Sequence, residues 1–276
     1  YAQSTDAYRS LEPSIDVPTP EQTKQLEDVK QTLVALTAER DQATPEEAQE
    51  FDNYRADFVS PKEIEWVTAP IVAAESTHGS TMTIQPDGSV LASGITPPDD
   101  QHILTLETDA TDLRLVALHA MVDASLPHGR VGRAQNGNAI LDSIEVEAIS
   151  KIDPTQTRKV KLDWAWADVE QPDEDFRVTN ALTAKDGRVW AVDAHNQPGG
   201  RVALFASTEP FGFAGGTRLR ITLGYESPYK EHSFGRVAIS LAKVSESFMG
   251  KLPDTTSAWY IAGPWPTEVA ENPYAV

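Results

Sequence analysis

The sequence predicts a mainly β chain, an antiparallel β-sandwich of the jelly-roll kind preceded by an α-helical hairpin. Three observations carry that expectation. Helix-start signals, Thr19-Pro20-Glu21-Gln22 and Thr44-Pro45-Glu46-Glu47, are confined to residues 19–60. From Trp66 onward, short β-prone runs are separated by turn chemistry such as Pro86-Asp87-Gly88 and Thr96-Pro97-Pro98-Asp99-Asp100. Strict alternation then appears in Asp163-Trp164-Ala165-Trp166-Ala167-Asp168, which puts both tryptophans on one face of a strand. Many short strands joined by turns favour layered antiparallel sheets over βαβ units.

Residues 1–18 are polar and punctuated by Pro13 and Pro18, and read as an extended arm. The hairpin occupies residues 19–60. Thr19 can cap the first helix, Pro20 suits its first position, and Gln22 completes a capping box. Leu26, Val29, Leu33 and Leu36 follow in a 3-4-3 spacing that makes one narrow apolar seam. Ala48, Phe51, Tyr54 and Phe58 share a face of the second helix. A short connection folds two such helices back on each other.

The sandwich occupies residues 61–246. Strands are expected at 71–73, 81–84, 89–92, 102–106, 113–118, 139–149, 159–167, 202–207, 217–225 and 237–244, with Trp164 and Trp166 facing the core. Residues 247–276 form a tail, or the first strand of a further module, in which Trp259-Tyr260-Ile261-Ala262-Gly263-Pro264-Trp265-Pro266 is a short apolar strand stopped by prolines.

Composition narrows the function. A net charge of −19 and a pI near 4.6 repel phosphate backbones and anionic lipid, so nucleic acid is not an expected partner. Such a surface suits an exported protein, periplasmic or extracellular. The absence of cysteine removes disulfides, thiolate nucleophiles and covalently attached c-type haem from this chain. No run of about eighteen apolar residues is present to span a membrane. Tyr1 reads as the start of a processed or excised segment.

The most informative stretch runs from Pro127 to Val146, where a glycine-studded loop carrying Arg130, Arg133, Asn136 and Asn138 feeds the strand Ile140–Val146. A second signature, Glu231-His232-Ser233-Phe234-Gly235-Arg236, precedes the last strand of the domain. Arg133, Asn136, Asn138, His232 and Arg236 are expected to shape these loops, the arginines by pairing with carboxylates or carbonyls.

These motifs carry a resemblance. Trp66, Asp87 to Gly94, the Gly132-Arg133 to Val146 loop-strand, Val189-Trp190-Ala191-Val192 and His232 to Arg236 resemble a module of large exported planctomycete proteins. Those proteins pair a planctomycete-type cytochrome c domain with long domains of unknown function. The resemblance covers about residues 20 to 266, and the Trp259–Pro266 stretch is similar to the strand that opens their next β-domain. The module is in turn similar to discoidin-like, galactose-binding-domain-like sandwiches. This implies a carbohydrate-holding fold, and a place in a cytochrome-containing, electron-transfer assembly. Where related modules have an Asp-Gly pair before the tryptophan, this chain has Thr183-Ala184, with Lys185-Asp186-Gly187 slightly later.

No cluster amounts to a recognisable active site. The six histidines form no helical i, i+4 pair, and no nucleophile elbow, phosphate loop or dinucleotide fingerprint occurs. The expectation is therefore a non-enzyme without a resident cofactor, save a structural Ca²⁺. Asp186 and Asp193, flanking Trp190 with Asn196, form the candidate cation site, and Pro172-Asp173-Glu174-Asp175 reads as a solvated turn with a calcium loop as the alternative. Trp190, followed by His195, Asn196 and Gln197, offers an aromatic face beside hydrogen-bonding groups, the mixture a sugar ring needs; Tyr225, with Tyr229, is a second aromatic turn. The leading expectation is a carbohydrate-binding or adhesion module that takes a polysaccharide. The alternative is a scaffold subunit strapped to partner protein subunits.

Overall fold

A computed structural model describes residues 19–40, 44–47, 49, 64–183 and 187–249. The chain divides into two units, Tyr1–Val59 and Ser60–Val276.

In the first unit, helix α1 spans Pro20–Arg40 and its start follows from the residues preceding it. The Thr19 amide donates to Gln22 Oε1 at 2.8 Å while the Gln22 amide donates to Thr19 Oγ1 at 3.2 Å, a reciprocal capping box. Thr44 and Glu47 repeat it at 2.8 and 3.1 Å, and helical residues follow from Pro45. The seam of α1 is open: Leu26, Val29, Leu33 and Leu36 are 52–64% exposed. Ala48, Phe51, Tyr54 and Phe58, the expected packing face of the second helix, lie outside the described residues, as do the arm at 1–18 and the tail from 250.

The second unit is mainly β, and every strand pairing is antiparallel. A seven-stranded sheet runs in the order β10 (Trp164–Ala167), β12 (Arg201–Phe211), β6 (Leu113–Met121), β14 (Arg236–Val244), β4 (Val90–Ser93), β3 (Thr81–Ile84). Strand β1 (Ile64–Val67) shares the β4 edge of β14, pairing with its second half. A five-stranded sheet runs β2 (Ile71–Ser76), β5 (Gln101–Thr108), β13 (Thr217–Gly224), β8 (Ser143–Ser150), β9 (Thr157–Val160). The short strands β7 (Ile140–Leu141) and β11 (Trp190–Ala191) pair separately.

Alternation along the strands places the core. In β5, every second residue is buried, and Leu104 and Leu106 are sealed completely. They join one apolar cluster with Val146 and Ile221 of the same sheet and with Val116, Phe205 and Leu241 of the other. Two sheets sharing one core fit a sandwich. At about 25 cal/mol per Å² of apolar surface removed from water, this shared layer is the main favourable contribution to the fold.

Three strand expectations change. The run 159–167 is two strands in different sheets, β9 and β10, with Lys161–Asp163 crossing between them. The run 139–149 breaks at Asp142, whose amide donates to Gly224 O at 3.0 Å. Trp164 and Trp166 do share a face, but it is the outer face of the seven-stranded sheet, away from the shared core. They stand opposite Ala206 and Leu204, whereas the core side of β12 carries Ala203 and Phe205.

Candidate functional site

The two loop signatures meet in space. Gly132 bridges Phe234, the Arg133 amide donates to Ser233 O at 2.9 Å, the Gly235 amide to Val131 O at 2.8 Å, and the Ile140 amide to His232 O at 2.9 Å. Gly132 is required here because a Cβ at this position would lie 1.8 Å from the Asn138 carbonyl oxygen. Asn136 Oδ1 accepts from the Asn138 amide at 3.0 Å, a turn closed by its own side chain. Asn138 Oδ1 accepts from the Ala194 amide at 2.8 Å, and Arg130 donates to the Ala194 carbonyl at 2.9 Å.

Arg133 reaches further. Only 7% exposed, it donates to Ser80 Oγ at 2.6 Å and to the carbonyls of Ile95 and Gly94 at 2.7 and 3.1 Å. Ser80 in turn donates to Asp100 Oδ2 at 2.7 Å, which Ser76 Oγ approaches at 2.8 Å. Backbone amides of Gln101 and His78 donate to Asp100 Oδ1 at 2.8 and 3.1 Å, and His102 Nε2 stands 3.4 Å from Oδ2. Burial alone would raise the Asp100 pKa, but the His102 ring and the Ser80 and Ser76 hydroxyls hold it well below the usual carboxylate range. Burial pushes the His102 imidazole down against the pull of Asp100.

Serine, histidine and aspartate together invite comparison with a nucleophilic triad, and the order of contacts argues against it. In a triad, histidine stands between serine and carboxylate. Here Asp100 stands between Ser80 and His102, and Ser80 Oγ accepts from Arg133. Among the described residues the one group bonded to the Ser80 proton is a carboxylate held strongly ionised, and the hydrogen bonds of the cluster tie the loops together as a buried clasp.

The two aromatic residues expected to meet a ligand are buried instead. Trp190 is fully buried, its Nε1 donating to Val169 O at 3.0 Å and its ring 5.8 Å from that of Phe234. It has no face open to a sugar. Tyr225, 2% exposed, lies between His102 and Phe234, with ring separations of 4.7 and 6.0 Å. His195, Asn196 and Gln197 are exposed, but the Asn196 and Gln197 amides donate at 2.8 Å each to Asp193. That carboxylate, 4% exposed, therefore closes its own turn. Asp186 lies outside the described residues, and among the described residues no group of three or more His, Asp or Glu side chains could hold a metal. Asp173 accepts from the Asp175 amide at 3.1 Å and caps a short 3-10 turn. His232 Nδ1 lies 2.7 Å from Lys230 O, and Arg236 spans Ser89, Asp123 and Asp87, as loop-shaping residues do.

Beside the clasp lies an open groove of about 780 Å³, lined by residues such as His78, Asp99, Glu226, Ser227, Pro228 and Lys230. Lys230 Nζ bonds both Asp99 oxygens at 2.7 and 2.8 Å, and Glu226 accepts from Gln101 at 2.9 Å. Tyr229, 39% exposed, is next in sequence to two of these residues. Sequence reasoning missed the clasp and the groove. The Thr77-His78-Gly79-Ser80 loop and the Asp99-Asp100 pair carry their polar groups, but in an acidic chain neither stands out.

Comparison with protein-family models, curated proteins and solved structures returns no match.

Proposed function

We propose that this chain is a non-catalytic assembly module, a jelly-roll sandwich of an exported protein that is joined to a partner subunit through α1. The single observation that carries the reading is the open seam of that helix. Leu26, Val29, Leu33 and Leu36 recur at coiled-coil spacing, yet each is more than half exposed. An amphipathic helix from a partner, with apolar residues at the same spacing, is the occupant that spacing selects. Burial of Trp190 and Tyr225 supports this over a lectin, because it removes two of the aromatic platforms a sugar would use.

A polysaccharide ligand is the second reading. The groove favours it, since charged and hydroxyl groups converge there, and the exposed Tyr229 lies between its lining residues Pro228 and Lys230 in the sequence.

One experiment separates them. The full chain and its Val29→Asp/Leu33→Asp variant are used as bait in extract of the native source, with chemical cross-linking, and both are run on a glycan array with and without calcium. The scaffold reading expects a stoichiometric partner cross-linked to α1 and lost in the variant, with a flat array. Array signal abolished by Tyr229→Ala/Lys230→Ala, with no partner on the helix, would replace it with the lectin reading.

A further inference from the structure

The two sheets differ on their outer faces. On the five-stranded sheet, Arg220 of β13 stands opposite Glu147 of β8, which in turn faces Lys159 of β9. Charges alternate there, as on a face meant for water.

The seven-stranded sheet carries the opposite pattern. Trp164, Ala206, Leu115, Ala242 and Trp66 stand directly opposite one another on successive strands β10, β12, β6, β14 and β1. The next row along is Trp166, Leu204, Ala117 and Ser240. Neither row contains a charge. Alanine, serine and leucine side chains, all shorter than the tryptophans that flank them, make a trough, and four strand spacings set its walls about 19 Å apart. That width seats one extended or helical segment, which needs roughly 10 Å. Leu115, Ala117, Leu204, Ala206 and Ala242 are at most 3% exposed, so the floor is a contact surface.

We infer that the trough is the seat of this chain's own C-terminal segment, with residues 259–266 laid across it. Two observations select that occupant. After β14 the chain makes one helical turn, Glu246–Met249, and Met249 packs against this same apolar cluster, so the residues that follow start from beside the trough. Residues 250–258 can span up to ~30 Å when extended, well beyond the roughly 14 Å from β14 to β10. The segment Trp259-Tyr260-Ile261-Ala262-Gly263-Pro264-Trp265-Pro266 is uncharged and aromatic, matching an uncharged floor between tryptophans. Its prolines cannot donate to a ladder, which suits a strap over a face better than a strand added to an edge.

The test replaces Tyr260 by benzoylphenylalanine in the full chain, a substitution that keeps an aromatic ring. Irradiation is expected to join residue 260 within the same molecule to peptides from β6, β10 or β12. Cross-links to other parts of the chain, cross-links to a second molecule, or none at all would overturn the inference. A second measurement uses oxidative footprinting of the full chain and of Trp259→Ala/Trp265→Ala, with buried Trp190 as the internal reference for folding. Labelling of Trp164 and Trp166 should rise several-fold while Trp190 stays protected. Unchanged labelling of those two side chains would again overturn it.

Discussion

Replacing Arg133 by Met tests the clasp. Methionine preserves most of the length and the apolar stem, so the change isolates the guanidinium. Three hydrogen bonds disappear, to Ser80 Oγ, Ile95 O and Gly94 O. A hydrogen bond to a charged group contributes about 1.5–3 kcal/mol when its partner cannot reach water. Gly94 and Ile95 are exposed, so water replaces most of what their carbonyls lose; Ser80 is buried, and its bond counts nearly in full. Asp100 also loses a nearby cation. Against this stands the relief of no longer desolvating a guanidinium, whose pKa burial pushes down. The net expectation is a loss of about 2–3 kcal/mol, or roughly 5–10 °C in Tm for a unit of this size. Urea denaturation at pH 7 reads it directly. A cycle with Ser80→Ala should return a coupling of about 1–2 kcal/mol between the two side chains. A loss below about 0.5 kcal/mol with an unchanged m-value would refute the clasp as a stabilising device.

Gly132→Ala should lose about 3 kcal/mol or more, because the new Cβ would meet backbone atoms of Asn138 at 1.8 and 2.2 Å, which cannot swing aside; near-normal stability in denaturant would contradict that. Thr19→Ala removes half of the first capping box and should weaken α1 by about 1 kcal/mol, seen as lost far-UV helical signal with near-UV tryptophan signal intact. Acidification should withdraw the stability tied to the neutral His119 ring. Burial lowers the His119 pKa to about 4, whereas its unfolded value is near 6.5, so between those values the unfolded state binds more protons and stability falls as pH falls. The expected loss from this group at pH 5 is about 1–2 kcal/mol relative to pH 8, and His119→Asn should show a shallower pH dependence; parallel profiles would remove His119 as its source.

Local signals carried much of this fold. The capping boxes at Thr19 and Thr44 are built from residues three apart, and the strand runs follow from alternation over a few positions. What alternation lacks is the identity of the layer. It puts Trp164 and Trp166 on one face, but whether that face meets the core depends on their cross-strand partners Ala206 and Leu204, forty residues away. Lys161–Asp163 continues a strand-like pattern although the chain there passes from one sheet to the other. Trp190 lies in a two-residue strand just before the polar run that starts at Asp193 and so resembles a loop aromatic; it is buried with Val189, Ala191 and Val192, and its strand pairs with Ile140 and Leu141. The clasp was illegible for the same reason, since Ser76, Ser80, Asp100 and Arg133 come from separate segments and none is unusual alone.

The place of β14 sets a constraint on synthesis. This strand, the last among the described residues of the second unit, lies between β6 on one side and β1 and β4 on the other. A nascent chain shorter than Arg236 therefore has that sheet in three separate pieces, with β1 and β4 each lacking the β14 edge they pair with. At about 5–20 residues per second, the more than one hundred residues after β6 keep the β14 position empty for several seconds or longer. Throughout that interval the unfilled edges are open to pairing with other chains. A ribosome-stalled series should accordingly show no protected seven-stranded sheet until Val244 has cleared the exit tunnel, and all of it soon afterward.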